Sequence, residues 1–397
     1  MLAFLLLAAG HARAGILAVG PGERFALPGT AARYARDGDV IEIDAAGVYV
    51  DDHAVWRANG ITIRGVGGRP HIRSTGTIAN GKAIWVVRGN DVRISNVELS
   101  GARVRSRNGA AIRLEGRNFR LSDCFIHDNE NGILGGIRDP DSEVVIERCE
   151  FAFNGRGDRG RTHNIYIGRV GRLVLRDSYS HDAFVGHLVK SRAQETLILY
   201  NRLFEGPASY AVDIPDGGRA LIMGNILHQG RASDNGALVS YAQEGLAHEQ
   251  NALRVVYNSF LSTRNRGVFI RGPEGVDILV ANNLFSGRGT LLERRGGRRQ
   301  TGAGAGLPGA GPGGSPTGRP AGARMGPNLH EQDLFAQFSP TGVRPRQRWL
   351  ARLVDQADPV RGFDGEALVP RHQFRGGGIE ARGMLGTRFD LGAIEYR

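Results

Sequence analysis

Short runs of apolar, strand-forming residues, several alternating with polar ones, recur along most of the chain and are bounded by glycine. AIWVV (Ala83 to Val87), AIRLE (Ala111 to Glu115), NIYIG (Asn164 to Gly168) and GVFIR (Gly267 to Arg271) are of this kind. A period of two over four or five residues predicts strands, since a helix would repeat every three to four. Between these runs one phrase returns: an aliphatic residue, any residue, usually Asn or Asp, then an apolar residue. It reads ISNVEL from Ile94, LSDCFI from Leu121, IERCEF from Ile146 and LRDSYS from Leu175. LYNRLF from Leu199, MGNILH from Met223, VYNSFL from Val256 and VANNLF from Val280 continue it. The anchors are spaced 27, 25, 29, 24, 24, 33 and 24 residues apart. A base period near 24 with two or three short strands per repeat predicts an all-β, right-handed parallel β-helix of about nine coils.

The third position of the phrase (Asn96, Asp123, Asp177, Asn201, Asn225, Asn258, Asn282, with Arg148 as the exception) is expected to stack into a polar ladder that satisfies the backbone at turns. Long spacings mark insertions, one at Gly155 to Arg161 and one at Ala242 to Gln250. TAARYARDGDVIEI (Thr30 to Ile43) predicts a short helix and a strand that cap the first coil.

Composition then narrows the class. With 59 glycines in 397 residues and no Gly-X-Y period, collagen and helical bundles are excluded, and the excess is turn chemistry. One elongated domain over residues 15–293 follows, rather than three average ones. The formal charge of +11 suits a polyanionic partner. Only Lys82 and Lys190 are lysines, so the charge is mainly an arginine bias and does not call for nucleic acid. MLAFLLLAAGHARA has the apolar core and small-x-small ending of a secretory signal, which predicts a signal peptide over residues 1–14 and a secreted or periplasmic protein. No segment is long enough to cross a membrane. Residues 294–325, rich in Gly, Pro, Ala and Arg, are expected to be a disordered insert, and 326–397 an irregular C-terminal cap.

The cap phrase, VGGRPHIR (Val66 to Arg73), IHDNENGI (Ile126 to Ile133) and the closing DLGAIEY (Asp390 to Tyr396) make the chain similar to the secreted right-handed parallel β-helix proteins of the pectate-lyase-like superfamily. The resemblance covers roughly residues 17–290 and the last few dozen. It implies a polysaccharide partner and a site on an exposed strand face with Lys or Arg as base. It admits calcium as an ion bridging substrate and carboxylates, although no Asp-x-Asp-x-Asp cluster is present. No Cys/His metal spacing is present either, and no metal ligand is assigned. Cys124 and Cys149 lie one coil apart, within reach of a disulfide or as stacked apolar filler.

Reactive side chains are densest in THNIYIGR (Thr162 to Arg169) and GHLVKSRA (Gly186 to Ala193). A 24-residue coil stacks His163 under His187, Tyr166 under Lys190 and Gly168 under Arg192. If Ile165, Ile167, Val189 and Ser191 point inward, Tyr166, Lys190 and Arg192 face out; the opposite parity would bury an ammonium. A one-residue slip in the next coil sets Asp213 beside Lys190, and Arg271 falls on the same column. The insertion at Ala242 to Gln250 is placed to wall this face into a groove.

On that face the assignments are Lys190 as base, Arg192 or Arg271 as carboxylate holder, Tyr166 or His187 as proton donor to the leaving oxygen, and His163, Asn164, Asp213 and Arg271 as substrate-binding residues. The chemistry is removal of the C5 proton of a uronate followed by loss of the 4-linked oxygen, which needs a base, a cation and an acid. A lysine kept where arginine is otherwise written is notable, because an amine can lose its proton and a guanidinium cannot. A surface ion pair with Asp213 is the competing reading. Asp51-Asp52-His53, His127-Asp128 and His181-Asp182 read as turns. The functional expectation is an exported enzyme, acting as a monomer, that cleaves an anionic polysaccharide by β-elimination. A C5-epimerase and a non-catalytic carbohydrate-binding solenoid are the rivals, and hydrolysis ranks lower for want of paired carboxylates.

Overall fold

A computed structural model describes residues 14–156, 162–296, 322–375 and 378–396. Residues 1–13 of the expected signal peptide, the core of the first insertion and most of the Gly/Pro/Ala/Arg segment lie outside the described residues. At the edges of that segment, Arg294 and Arg295 end the strand Thr290–Arg295, and Ala323–Met325 is itself a strand.

The chain winds as a right-handed parallel β-solenoid. Its strands form a 20-stranded sheet and an 11-stranded sheet. The larger one is two columns of short strands, fused where Asn131–Glu147 and Ile165–Arg176 run unbroken through both. The narrow sheet has one strand per coil, so the described residues make eleven coils rather than nine. The additional strands, Tyr49–Val50, His71–Arg73 and Asn328–Glu331, lie in coils that lack the recurrent phrase. Inside, Ile, Val and Leu stack rung upon rung: Leu175 pairs with Ile198, Ile198 with Ile222, Ile222 with Val255 and Val255 with Val280. Aromatic rungs join them, with Phe260 and Phe285 stacked at 4.8 Å and Trp56 edge-on to Trp85 at 5.6 Å.

The pairing also corrects the ladder. The core anchors in these coils are Ile198, Ile222 and Val255, one residue before the phrase's Leu199, Met223 and Val256, so the phrase joins two adjacent columns. Asn96, Asp123, Arg148, Asp177 and Asn282 belong to an outer column that turns the chain with φ between 52° and 58°. Arg148 is therefore no exception, and Tyr200, Gly224 and Tyr257 are its later members. The next residue of each coil forms the buried ladder. Cys124, Cys149, Ser178, Asn201, Asn225, Asn258, Asn283 and Asn328 each accept the backbone N–H of the member before, where there is one. Cys124 and Cys149 are thus free, buried thiols at two rungs of this ladder, their S–H groups directed to the Ser122 and Glu147 carbonyls.

The helix Pro28–Tyr34 closes the first coil as expected, with Ala31 and Ala32 in the core and the Gly29 N–H donating to Asp52 at 2.6 Å. The C-terminal segment differs from an end cap. It runs back along the flank, where Leu334, Leu353, Phe374 and Ile394 cover outward-facing Leu221, Met223, Val256 and Leu284. The Arg371 N–H donates to the Tyr200 hydroxyl and the Ala393 N–H to Ser259. Sequence periodicity does not see this flank, because the apolar residues beneath it occupy positions that elsewhere face water.

Candidate functional site

Strand alternation sets the site. Ile165, Ile167, Val189, Ser191, Val212 and Ile214 are fully buried, so the residues between them face out. Register then builds an outward column: Arg113 beside Leu134, then Tyr166, Lys190, Asp213, Ser240, Arg271 and Glu293. The one-residue slip that puts Asp213 next to Lys190 is present. Arg271 is on the column but three strands from Lys190, roughly 14 Å at 4.8 Å per strand, and is ion-paired with Glu293.

Lys190 Nζ lies 3.0 Å from Asp213 Oδ2 and 3.3 Å from Glu244 Oε1, with the side chain 12% exposed. Arg192 bonds Glu244 Oε2 at 2.6 Å and also pairs with Asp216, whose other oxygen takes Arg169 Nε at 2.8 Å. Glu244 comes from the second insertion, which folds onto this face through N–H bonds from Glu244 to the Pro215 carbonyl and from Ala247 to the Asp216 carbonyl. Beyond the loop lies a polar groove of about 740 Å³, whose lining includes Glu143, Arg172, Glu195, Arg219 and His248.

The two histidines stack as expected, with centroids 4.9 Å apart, but they sit in the wall and not on the surface. His163 Nδ1 accepts the His187 N–H and His187 Nδ1 accepts the Tyr210 N–H, so each ring keeps its proton on Nε2. His187 Nε2 is 3.3 Å from Asp213 Oδ2. Burial, reinforced by Lys190, pushes His187 down to about 3. Burial also holds His163 well below its ordinary value, aided by His187, Lys190 and Arg192. Asn164 is fully enclosed. Its amide donates to the Phe151 and His181 carbonyls and to Ser180, so it is a rung of the solenoid and cannot reach a ligand on the face.

The carboxylates differ in the same cluster. Burial raises Asp213 although Lys190 opposes it. Burial also pushes Glu244 up, but Arg192 and Lys190 outweigh it and hold Glu244 below its ordinary value. Each of Asp213, Asp216 and Glu244 already faces a Lys or Arg, so these oxygens do not make a calcium donor set.

Tyr166, Lys190, Arg192, Asp213 and His187 are therefore brought together. Glu244, Arg169 and Asp216 carry no site assignment in the sequence analysis. Their signal lay in partners far along the chain, which no repeat spacing encodes. Lys82, the other lysine, is 41% exposed and pairs with Glu115. His127 and His181 do bond the acids that follow them, at 2.8 and 2.7 Å.

Residues 46–227 match the family model described as right handed beta helix region. No curated protein matches. Among solved structures, pectate lyase Pel9A is similar at 11% identity over 98% of both chains, with a TM-score of 0.47. Geobacillus virus E2 ORF18 is similar at 14% identity over 86% of this chain and 60% of its own, with a TM-score of 0.43. The Dettilon tailspike protein is 11% identical over 62% of this chain and 60% of its own, with a TM-score of 0.33. Among the described residues no helix is long and apolar enough to cross a membrane.

Proposed function

For a chain built on a right-handed β-helix region, we propose that the Lys190 face binds an anionic, uronate-containing polysaccharide and cleaves it by β-elimination. The observation that carries this reading is a sheltered lysine on an outward strand column, with Arg169 and Arg192 one row away and Tyr166 beside it. A uronate carboxylate docked on Arg192 takes over the anionic place of Glu244, and that guanidinium, with Arg169 beside it on the shared Asp216, stabilises the charge that builds when C5 loses its proton. Lys190 must first be a free amine. Proton transfer from Nζ to Asp213, which burial already disfavours as an anion, supplies it. The amine then takes the C5 proton, C4=C5 forms, and the C4–O bond breaks with a proton from the Tyr166 phenol.

A second reading, hydrolysis, is favoured by one observation: Asp213 and Glu244 flank Lys190 and have their carboxyl groups shifted in opposite directions, the pattern of an acid and a base. Incubation with a panel of uronate polymers separates the two. Elimination gives new ends with ultraviolet absorbance from the unsaturated bond, hydrolysis gives new reducing ends without it, and C5 inversion without chain cleavage marks an epimerase. Binding with none of these would leave a non-catalytic solenoid.

A further inference from the structure

A different cluster lies on the narrow sheet, two to four coils from the N-terminal end. His71, Glu98 and His127 come from the successive strands His71–Arg73, Glu98–Ser100 and Phe125–His127. His71 pairs with Glu98 in register, and His127 sits diagonally across the next strand. Glu98 Oε1 is 3.4 Å from His71 Nδ1 and 3.1 Å from His127 Nε2, and the three donor atoms lie within 4.8 Å of one another. Three ligands about 2.0–2.1 Å from a tetrahedral ion are separated by roughly 3.3 Å, so these atoms stand close to coordination positions.

The outer nitrogens of both rings are also held. His127 Nδ1 lies 2.8 Å from Asp128 Oδ2, and His71 Nε2 is 2.7 Å from Ser100 Oγ. A carboxylate or hydroxyl on the far nitrogen is the usual support of a metal-bound imidazole. It also leaves a difficulty without a cation. With its proton on the Asp128 side, His127 presents a lone pair to the Glu98 oxygen, and Glu98 is shared with a second imidazole. A proton on His127, or a cation held between the three donor atoms, relieves this contact.

We propose that His71, Glu98 and His127 form a site for a divalent transition-metal ion of the Zn(II) class, with Asp128 and Ser100 as positioning residues and a fourth position open to water. Mixed imidazole and carboxylate donors favour such an ion over calcium or magnesium. The solenoid contains its own comparison. Two coils on, His181 repeats the arrangement, with Nδ1 on Asp182 and Nε2 3.2 Å from Glu150. There the place equivalent to His71 is Phe125, which pairs with Glu150, so only two donors converge.

The full chain, free of any affinity tag and stripped with chelator, is titrated with Zn(II) by calorimetry and with Co(II) by visible absorption. The expected result is one equivalent bound, with the visible bands of four-coordinate Co(II). Glu98→Gln and His127→Ala lower affinity at least 100-fold, Asp128→Asn lowers it about 10- to 100-fold, and His181→Ala leaves it unchanged. Glu98→Gln preserves shape and decides the matter if His127→Ala fails to fold. No stoichiometric binding by the parent chain, or binding equally tight in folded Glu98→Gln, would overturn the assignment.

Discussion

His187 illustrates how a residue's surroundings fix its use. Its ring is enclosed, stacked between His163 and Tyr210, and its Nδ1 already accepts a backbone N–H. An unfolded histidine titrates near 6.5, whereas the folded one titrates at about 3. The neutral ring is the folded form, so its contribution to stability is complete above pH 6.5 and is lost as pH falls from there toward 3. The slope is at most about 1.4 kcal/mol per pH unit. His187→Asn keeps an acceptor near the Nδ1 position but cannot protonate. Denaturant midpoints across that pH window should then fall less steeply, by about one proton's worth, and an unchanged slope would show that His187 does not carry the effect. The pairing of His163 with His187 was legible in the 24-residue spacing. Their burial was not, because a strand end next to a turn has no fixed inward or outward parity.

At the scale of the repeating element, the buried amide ladder ties each coil to the next. Asn225 donates from its amide to the Ile198 and Met223 carbonyls and to Asn258, and its own oxygen accepts from Asn201. Asn225→Ala orphans several buried partners and should cost about 2–4 kcal/mol, read as a lower unfolding midpoint. Asn225→Asp should cost more, since it buries an unpaired charge. Cys124 and Cys149 occupy the same column, and burial pushes the Cys149 thiol well up. Neither should react with a thiol reagent until the chain unfolds, when both should titrate as free; a chain with no titratable thiol after unfolding would instead contain the disulfide. The recurrent phrase revealed the coil and its core, yet it drifted by one residue between Leu175 and Leu199. The turn residue and the ladder residue are neighbours, and both favour Asn or Asp, one for positive φ and one for its amide.

Across the whole molecule, two long-range events complete what the coils begin. The C-terminal segment covers the apolar flank, and Phe374 is 2% exposed within that contact. Phe374→Ala should cost about 3–5 kcal/mol, appearing as protease cleavage within residues 332–396 while the coils stay folded. Equal resistance to protease would mean that the segment is held mainly elsewhere. The second insertion brings Glu244 over Lys190 and Arg192. Its role as a wall could be anticipated from its length, but its carboxylate could not be placed, since no repeat fixes a loop residue against a strand. The column of Tyr166, Lys190 and Asp213 was legible because strand parity and coil spacing together determine it. The claim resting on that column is that Lys190 works as a base. Lys190→Arg keeps the positive charge and its pairing with Asp213 but removes a group able to give up its proton. Ultraviolet detection of unsaturated ends on a uronate polymer cleaved by the parent chain is the direct measurement. Lys190→Arg, folded and still binding the polymer, should lose about 10²–10⁴-fold in rate; a variant that cleaves at the parent rate would show that Lys190 is not the base.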